Sequence, residues 1–76
     1  MAQYYFHVMN GQAVMDDTGM DLANMELVRT EAIRAAGQML SDGDHSWKGQ
    51  QWQMIVTDAF NTIVFGVSFS VDRHGL

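Results

Sequence analysis

The sequence predicts an α+β fold of two layers in the order β-β-α-β-β, with antiparallel hairpins and one helix packed on one sheet face. Three features carry that prediction. An Asn10-Gly11 pair separates two apolar runs, one amphipathic stretch extends from Met25 to Leu40, and two runs rich in β-branched and aromatic residues follow it. The 76 residues make one domain, 1–76, without repeats or linkers. A chain of this size buries only about 60% of the surface it exposes when unfolded, so its core is small.

The first hairpin rests on Asn-Gly, which suits a two-residue type I′ turn because both central residues take positive φ. Counting outward from Asn10-Gly11 sets strands at about 3–9 and 12–16. Val8 then faces Ala13, His7 faces Val14 and Tyr5 faces Asp16. Strand side chains alternate between faces, so Tyr4, Phe6, Val8, Ala13 and Met15 form the expected core face. Tyr5, His7, Val14 and Asp16 form the other.

After the Asp16-Asp17-Thr18-Gly19 turn, Asn24 is the expected N-cap of a helix over about 25–40, with Glu26 in its first turn. At about 100° per residue, Met25, Val28, Ala32, Ala35, Ala36 and Met39 fall in one stripe, and Ile33 and Leu40 widen one edge of it. The alanines let the helix approach a sheet closely. Met15, Met25 and Met39 are expected in the core, and Ser41-Asp42-Gly43-Asp44 supplies the stop.

Two further strands are expected at about 52–57 and 62–70. Asp58-Ala59-Phe60-Asn61 suits a type I turn with Asn61 left-handed and a following bulge, pairing Thr57 with Ile63 and Ile55 with Phe65. That register puts Ile55, Ile63, Phe65, Val67 and Phe69 on one face, and Trp52, Met54, Val56 and Val64 on the other. Both faces are then apolar and one helix covers only one of them. Trp47, in the polar connection over 44–51, is one candidate to cover part of the remainder.

Composition narrows the functional classes. There is no cysteine, hence no disulfide and no thiolate metal site. Arg29, Arg34, Lys48 and Arg73 are scattered and opposed by nine carboxylates, which argues against nucleic-acid binding. No apolar run approaches the roughly 20 residues of a membrane span, and the first residues do not resemble a signal peptide, so a cytoplasmic protein without a membrane partner is expected.

Element order and several short motifs resemble a family of small alphaproteobacterial proteins of unknown function. The residues that carry the resemblance are Tyr5-Phe6-His7, Gly11, Asp17-Thr18-Gly19, Ala32 and Ala36 of the helix, and Thr57-Asp58 before a strand ending at Phe69. They span roughly residues 3 to 70. Asn61 stands where that pattern usually has glycine, and Ser68 where proline often precedes the last phenylalanine. The resemblance implies the strand-strand-helix-strand-strand order and brings no activity, substrate or cofactor.

His7 and Asp16 are diagonal neighbours in the expected hairpin, and a His-Asp pair can shuttle protons near neutral pH. The only hydroxyls to nominate beside them, Thr18 and Ser68, lie in no activating motif, so an enzyme is not expected. Asp16, Asp17 and Asp21 do not match a calcium loop, Gly19 serves a turn and not a phosphate, and His45 and His74 lack ligand partners. No metal or cofactor is expected. Met9 and Met54 on the uncovered face add adaptable apolar surface.

The expectation is a small non-enzymatic interaction or regulatory module, a homodimer formed through an apolar sheet face or strand edge. Tyr5, His7, Asp16, Trp52, Met54 and Val64 are its candidate contact residues. The alternative is a small-molecule or metal-binding module using Tyr5, His7 and Asp16.

Overall fold

A computed structural model describes residues 2–42 and 51–70. The elements are β1 (Ala2–Met9), β2 (Ala13–Val14), β3 (Met20–Leu22), α1 (Met25–Ser41), β4 (Trp52–Asp58) and β5 (Ile63–Phe69). The strands form one antiparallel sheet in the order β2-β1-β4-β5, with β3 also paired to β1. Tyr4 pairs with both Met20 and Asp58, and Val8 with both Val14 and Met54. Thus β2 and β3 lie end to end along one edge of β1, and β4 lies along the other. The expected α+β class and element order hold, with β3 as an additional strand.

Local chemistry explains most of the elements. Asn24 caps α1 by accepting from the Leu27 N–H at 3.0 Å, satisfying a donor that the first turn of a helix leaves free. Asn61 takes the left-handed conformation, φ 65°, and Asp58 accepts from the N–H groups of Phe60 and Thr62 at 2.9 and 3.0 Å. Val28, Ala32 and Ala36 form the buried line of the helix. Met25 and Met39 sit half-exposed at the margins of that line, and Met15 is 61% exposed, so none of the three is the core residue expected of it.

The first hairpin departs from its expected register by one residue. Met9 pairs with Ala13 and Val8 with Val14, which leaves a three-residue loop. The Asn10 side chain is the physical reason: its Oδ1 accepts from the Gln12 N–H at 3.3 Å, a local bond that draws Gln12 into the turn. Val14, not Ala13, therefore shares the face of Val8. The face assigned to β1 itself, Tyr4, Phe6 and Val8, does pack toward the helix.

The second hairpin carries a larger correction. Thr57 pairs with Ile63 as expected, but the next pair is Val56 with Phe65, so the bulge lies at Val64, inside the strand. From there Met54 pairs with Val67 and Trp52 with Phe69, and Ile55 faces Gly66. A one-residue slip exchanges the faces of a strand. Trp52, Met54 and Val56 thus lie beneath α1, fully buried with Val28, Ala32 and Ala36. The Trp52 and Phe69 rings meet at 5.8 Å between centroids, and Val64 packs beside this cluster. Trp52 and Met54 are core residues and Val64 is half-buried against them, so none of the three belongs to an uncovered face. The outer face instead carries Tyr5, His7, Ile55, Thr57 and Ser68, a mixed surface. Trp47, His45, His74 and the Gly43-Asp44 end of the helix stop lie outside the described residues.

Candidate functional site

The outer face of β1 and β4 holds the polar cluster nearest to a site. His7 is only 6% exposed. Its Nδ1 accepts from the backbone N–H of Asp16 at 3.1 Å, and its Nε2 lies 2.9 Å from the hydroxyl of Thr57. A backbone N–H can only donate, so Nδ1 presents its lone pair and the ring proton resides on Nε2, which donates to Thr57. Thr57, itself buried, reaches this position because β4 pairs Ile55 with His7 and Thr57 with Tyr5. The Tyr5 ring runs parallel to that of His7, with centroids 6.5 Å apart and 9° between planes.

Asp16 fills the gap between β2 and β3. Its Oδ2 accepts from the Phe6 N–H at 3.1 Å, and its Oδ1 from the N–H groups of Thr18 and Gly19 at 3.0 and 3.2 Å. One carboxylate thus takes the place of a missing strand carbonyl beside Phe6 and also closes the following turn. Partial burial opposes its charge, but the three backbone donors, aided by nearby His7, outweigh burial and hold its pKa below the ordinary carboxylate value.

Gly19 completes the turn at φ 76°, and a Cβ there would lie 2.6 Å from Nε2 of Gln3 and 2.8 Å from the Tyr5 ring. Only glycine fits that approach without displacement. The Gln3 amide in turn donates to the Thr18 carbonyl at 2.9 Å.

The expected residues therefore divide. Tyr5, His7 and Asp16 come together, although Asp16 meets His7 through its backbone and not through its carboxylate. Trp52, Met54 and Val64 belong to the opposite face. Thr57 is the residue that sequence reasoning missed; it was legible as a strand residue before a turn, but only the β1–β4 register reveals it as the partner of His7.

The cluster offers structural strength more than reactivity. Both ring nitrogens of His7 are engaged, the Asp16 carboxylate serves three amides, and among the described residues no buried side-chain nitrogen or oxygen lacks a partner. Among the same residues no group of three or more His, Asp or Glu is arranged to hold a metal. On the helix side, a shallow groove of about 380 Å³ runs between α1 and β2–β3, lined by Phe6, Val14, Met15, Met20 and Met39, with Asp16 and Glu31 also contributing.

Residues 3–70 match the model of a family described as a domain of unknown function, DUF6894. The chain belongs to the DUF6894 family. The match runs from β1 through β5, so the His7–Thr57–Asp16 cluster and the helix-side core are both parts of the DUF6894 domain. No curated protein and no solved structure matched the chain. Among the described residues of this DUF6894 domain, no helix is long and apolar enough to cross a membrane.

Proposed function

We propose that this DUF6894 chain is a small non-enzymatic interaction module that works by self-association through a strand edge. The observation that supports this reading is the contrast between the two edges of its sheet. The β2–β3 edge is broken into strands of two and three residues, and Asp16, Asp17 and Asp21 lie along it. Short strands, interruptions and charges are the features by which proteins block unwanted pairing. The other edge, β5, is a run of seven residues, Ile-Val-Phe-Gly-Val-Ser-Phe, with neither charge nor proline, and among the described residues it pairs with β4 alone. Its outward N–H and C=O groups suit addition of another strand.

The alternative, a ligand or metal site built from Tyr5, His7 and Asp16, loses support because both ring nitrogens of His7 and the carboxylate of Asp16 already serve the fold. Light scattering over a protein concentration series tests the proposal. A mass rising from monomer to dimer through the micromolar range is expected, and a strict monomer at the highest concentrations would overturn it.

A further inference from the structure

We infer that the occupant of the β5 edge is a second copy of this chain, paired antiparallel about a two-fold axis near Gly66, and that the exposed flank of α1 forms the second half of the interface. This rests on the self-association reading and specifies its geometry.

Gly66 is the middle residue of β5. Antiparallel pairing centred there sets Phe65 against Val67 of the second copy, both on the helix side of the sheet. The chain carries a net charge of −5, but none of that charge lies in β5, so repulsion between copies is not focused at this edge.

The helix supplies an independent argument. Glu31, Ala35 and Met39 border the groove above β1 and β2, while Val28, Ala32 and Ala36 point into the core. At about 100° per residue, Ile33, Gly37 and Leu40 therefore lie on the opposite flank, the one above β5. Ile33 is 44% exposed, and a Cβ added at Gly37 would meet nothing within 4 Å. Among the described residues, this flank presents a half-exposed isoleucine beside a helix glycine with open space over it. In the dimer both helices lie on the same sheet face, flank to flank across the axis.

Spacing agrees with this arrangement. α1 crosses the sheet, touching β3 as well as β4 and β5; strands lie about 4.8 Å apart, so where α1 lies over β4 and β5 it is about 5 Å from the axis, and the two helices approach to about 10 Å there. That is close to the usual interaxial distance of about 8–10 Å, and glycine permits the closer end of it. A strand edge alone falls short of the roughly 800 Å² per partner of a stable interface, so the helix flank is required. Because the β2–β3 edge is blunted, assembly stops at two copies and does not continue as a fibre.

The test compares the native chain with Gly66→Lys, Ser68→Lys and Ile33→Glu by sedimentation velocity, with circular dichroism to confirm folding. A Cβ at Gly66 meets only the Met54 carbonyl oxygen, at an ordinary 3.7 Å, so lysine is accommodated. Two ammonium groups then face each other at the axis. The expected results are a native dimer, a folded monomer for Gly66→Lys, and at least a tenfold weaker dimer for Ile33→Glu. Ser68→Lys, on the exposed side of β5, gives the same reading should Gly66→Lys fail to fold. A native dimer that survives these β5 substitutions would overturn the geometry and leave self-association standing. Dissociation by Gly66→Lys with no effect of Ile33→Glu would overturn the helix half. Assembly beyond the dimer would overturn the two-fold pairing, and a native chain that stays monomeric would overturn both the geometry and the reading beneath it.

Discussion

The backbone N–H of Asp16 donates to Nδ1 of His7 at 3.1 Å, while the Asp16 carboxylate turns away to the amides of Phe6, Thr18 and Gly19. A pair of residues that on paper suggests proton transfer is used to fasten a turn to a sheet. The ring joins that turn to β4 through Thr57, and the carboxylate joins it to β1 through Phe6. Loss of either side chain is expected to loosen the β2–β3 edge before it affects the helix-side core.

The first prediction concerns the tautomer. In its neutral form, the His7 ring is expected to carry its proton on Nε2, because Nδ1 is occupied as an acceptor. Long-range proton–nitrogen correlation spectra distinguish the two forms, and an Nδ1–H pattern would contradict the geometry. His7→Ala leaves the Thr57 hydroxyl and the Asp16 amide without this partner and is expected to cost about 1–3 kcal/mol in chemical denaturation.

Asp16 predicts a pH dependence. Its pKa in the folded chain lies below the ordinary 3.8, so its contribution is fully present above that value and is lost as pH falls through the folded pKa. Asp16→Asn is expected to be less stable by about 1–2 kcal/mol at neutral pH, in line with the weakening of charge-assisted hydrogen bonds at a partly exposed site. The difference between native and variant should shrink below about pH 4 as the native carboxyl protonates. A constant difference across acid denaturation curves would refute the assignment.

Gly19→Ala tests the closeness of the turn to β1. The substitution meets positive φ and a contact of 2.6 Å with the Gln3 amide together, with the Tyr4 carbonyl at 3.0 Å behind it. Gln3 can move, but the backbone of β1 cannot do so without disturbing its pairs to β3 and β4. A loss of about 2 kcal/mol or more is expected in urea unfolding, since left-handed strain alone accounts for about 1–3 kcal/mol.

Met54→Ala separates the observed face assignment from the one expected of the sequence. As a fully buried residue beneath α1, Met54 should lose about 2–5 kcal/mol on truncation. In a domain this small, that is enough to remove most of the stability. On a solvent-facing sheet surface the same change would be nearly neutral, so a thermal melt decides between the two.

Periodic and local signals were the most legible part of the chain. The helix between Asn24 and Ser41, its asparagine cap, the left-handed Asn61 and the Thr57–Ile63 pair all follow from interactions within a few residues of each other. Tyr4, Phe6 and Val8 were assignable to the core face because alternation along one continuous strand does not depend on its partners. The site was half legible: Tyr5, His7 and Asp16 were placed together, whereas Thr57, 50 residues from His7, was not connected to them. No local preference encodes that β4 lies beside β1.

The errors share one physical cause. Asn10 added a residue to the first turn, and the bulge at Val64 displaced the second hairpin by one position, so that Val14 shares the face of Val8 and Trp52, Met54 and Val56 face the helix, while Phe65, Val67 and Phe69 keep the face expected of them. Local energies differ little between a bulge in the turn and one a step further along. What decides is the apolar surface buried globally, and the alanine line of α1 has room for Trp52 and Met54 beneath it. By itself the sequence determined the fold class, the helix, the caps and the turn glycine, because those depend on propensity and period. The faces of β2 and β4, the placing of Ile63 and Val64 about the β5 bulge, and the use of His7 and Asp16 as a clamp were decided only in the tertiary structure, where side-chain parity is settled by whichever register buries the larger core.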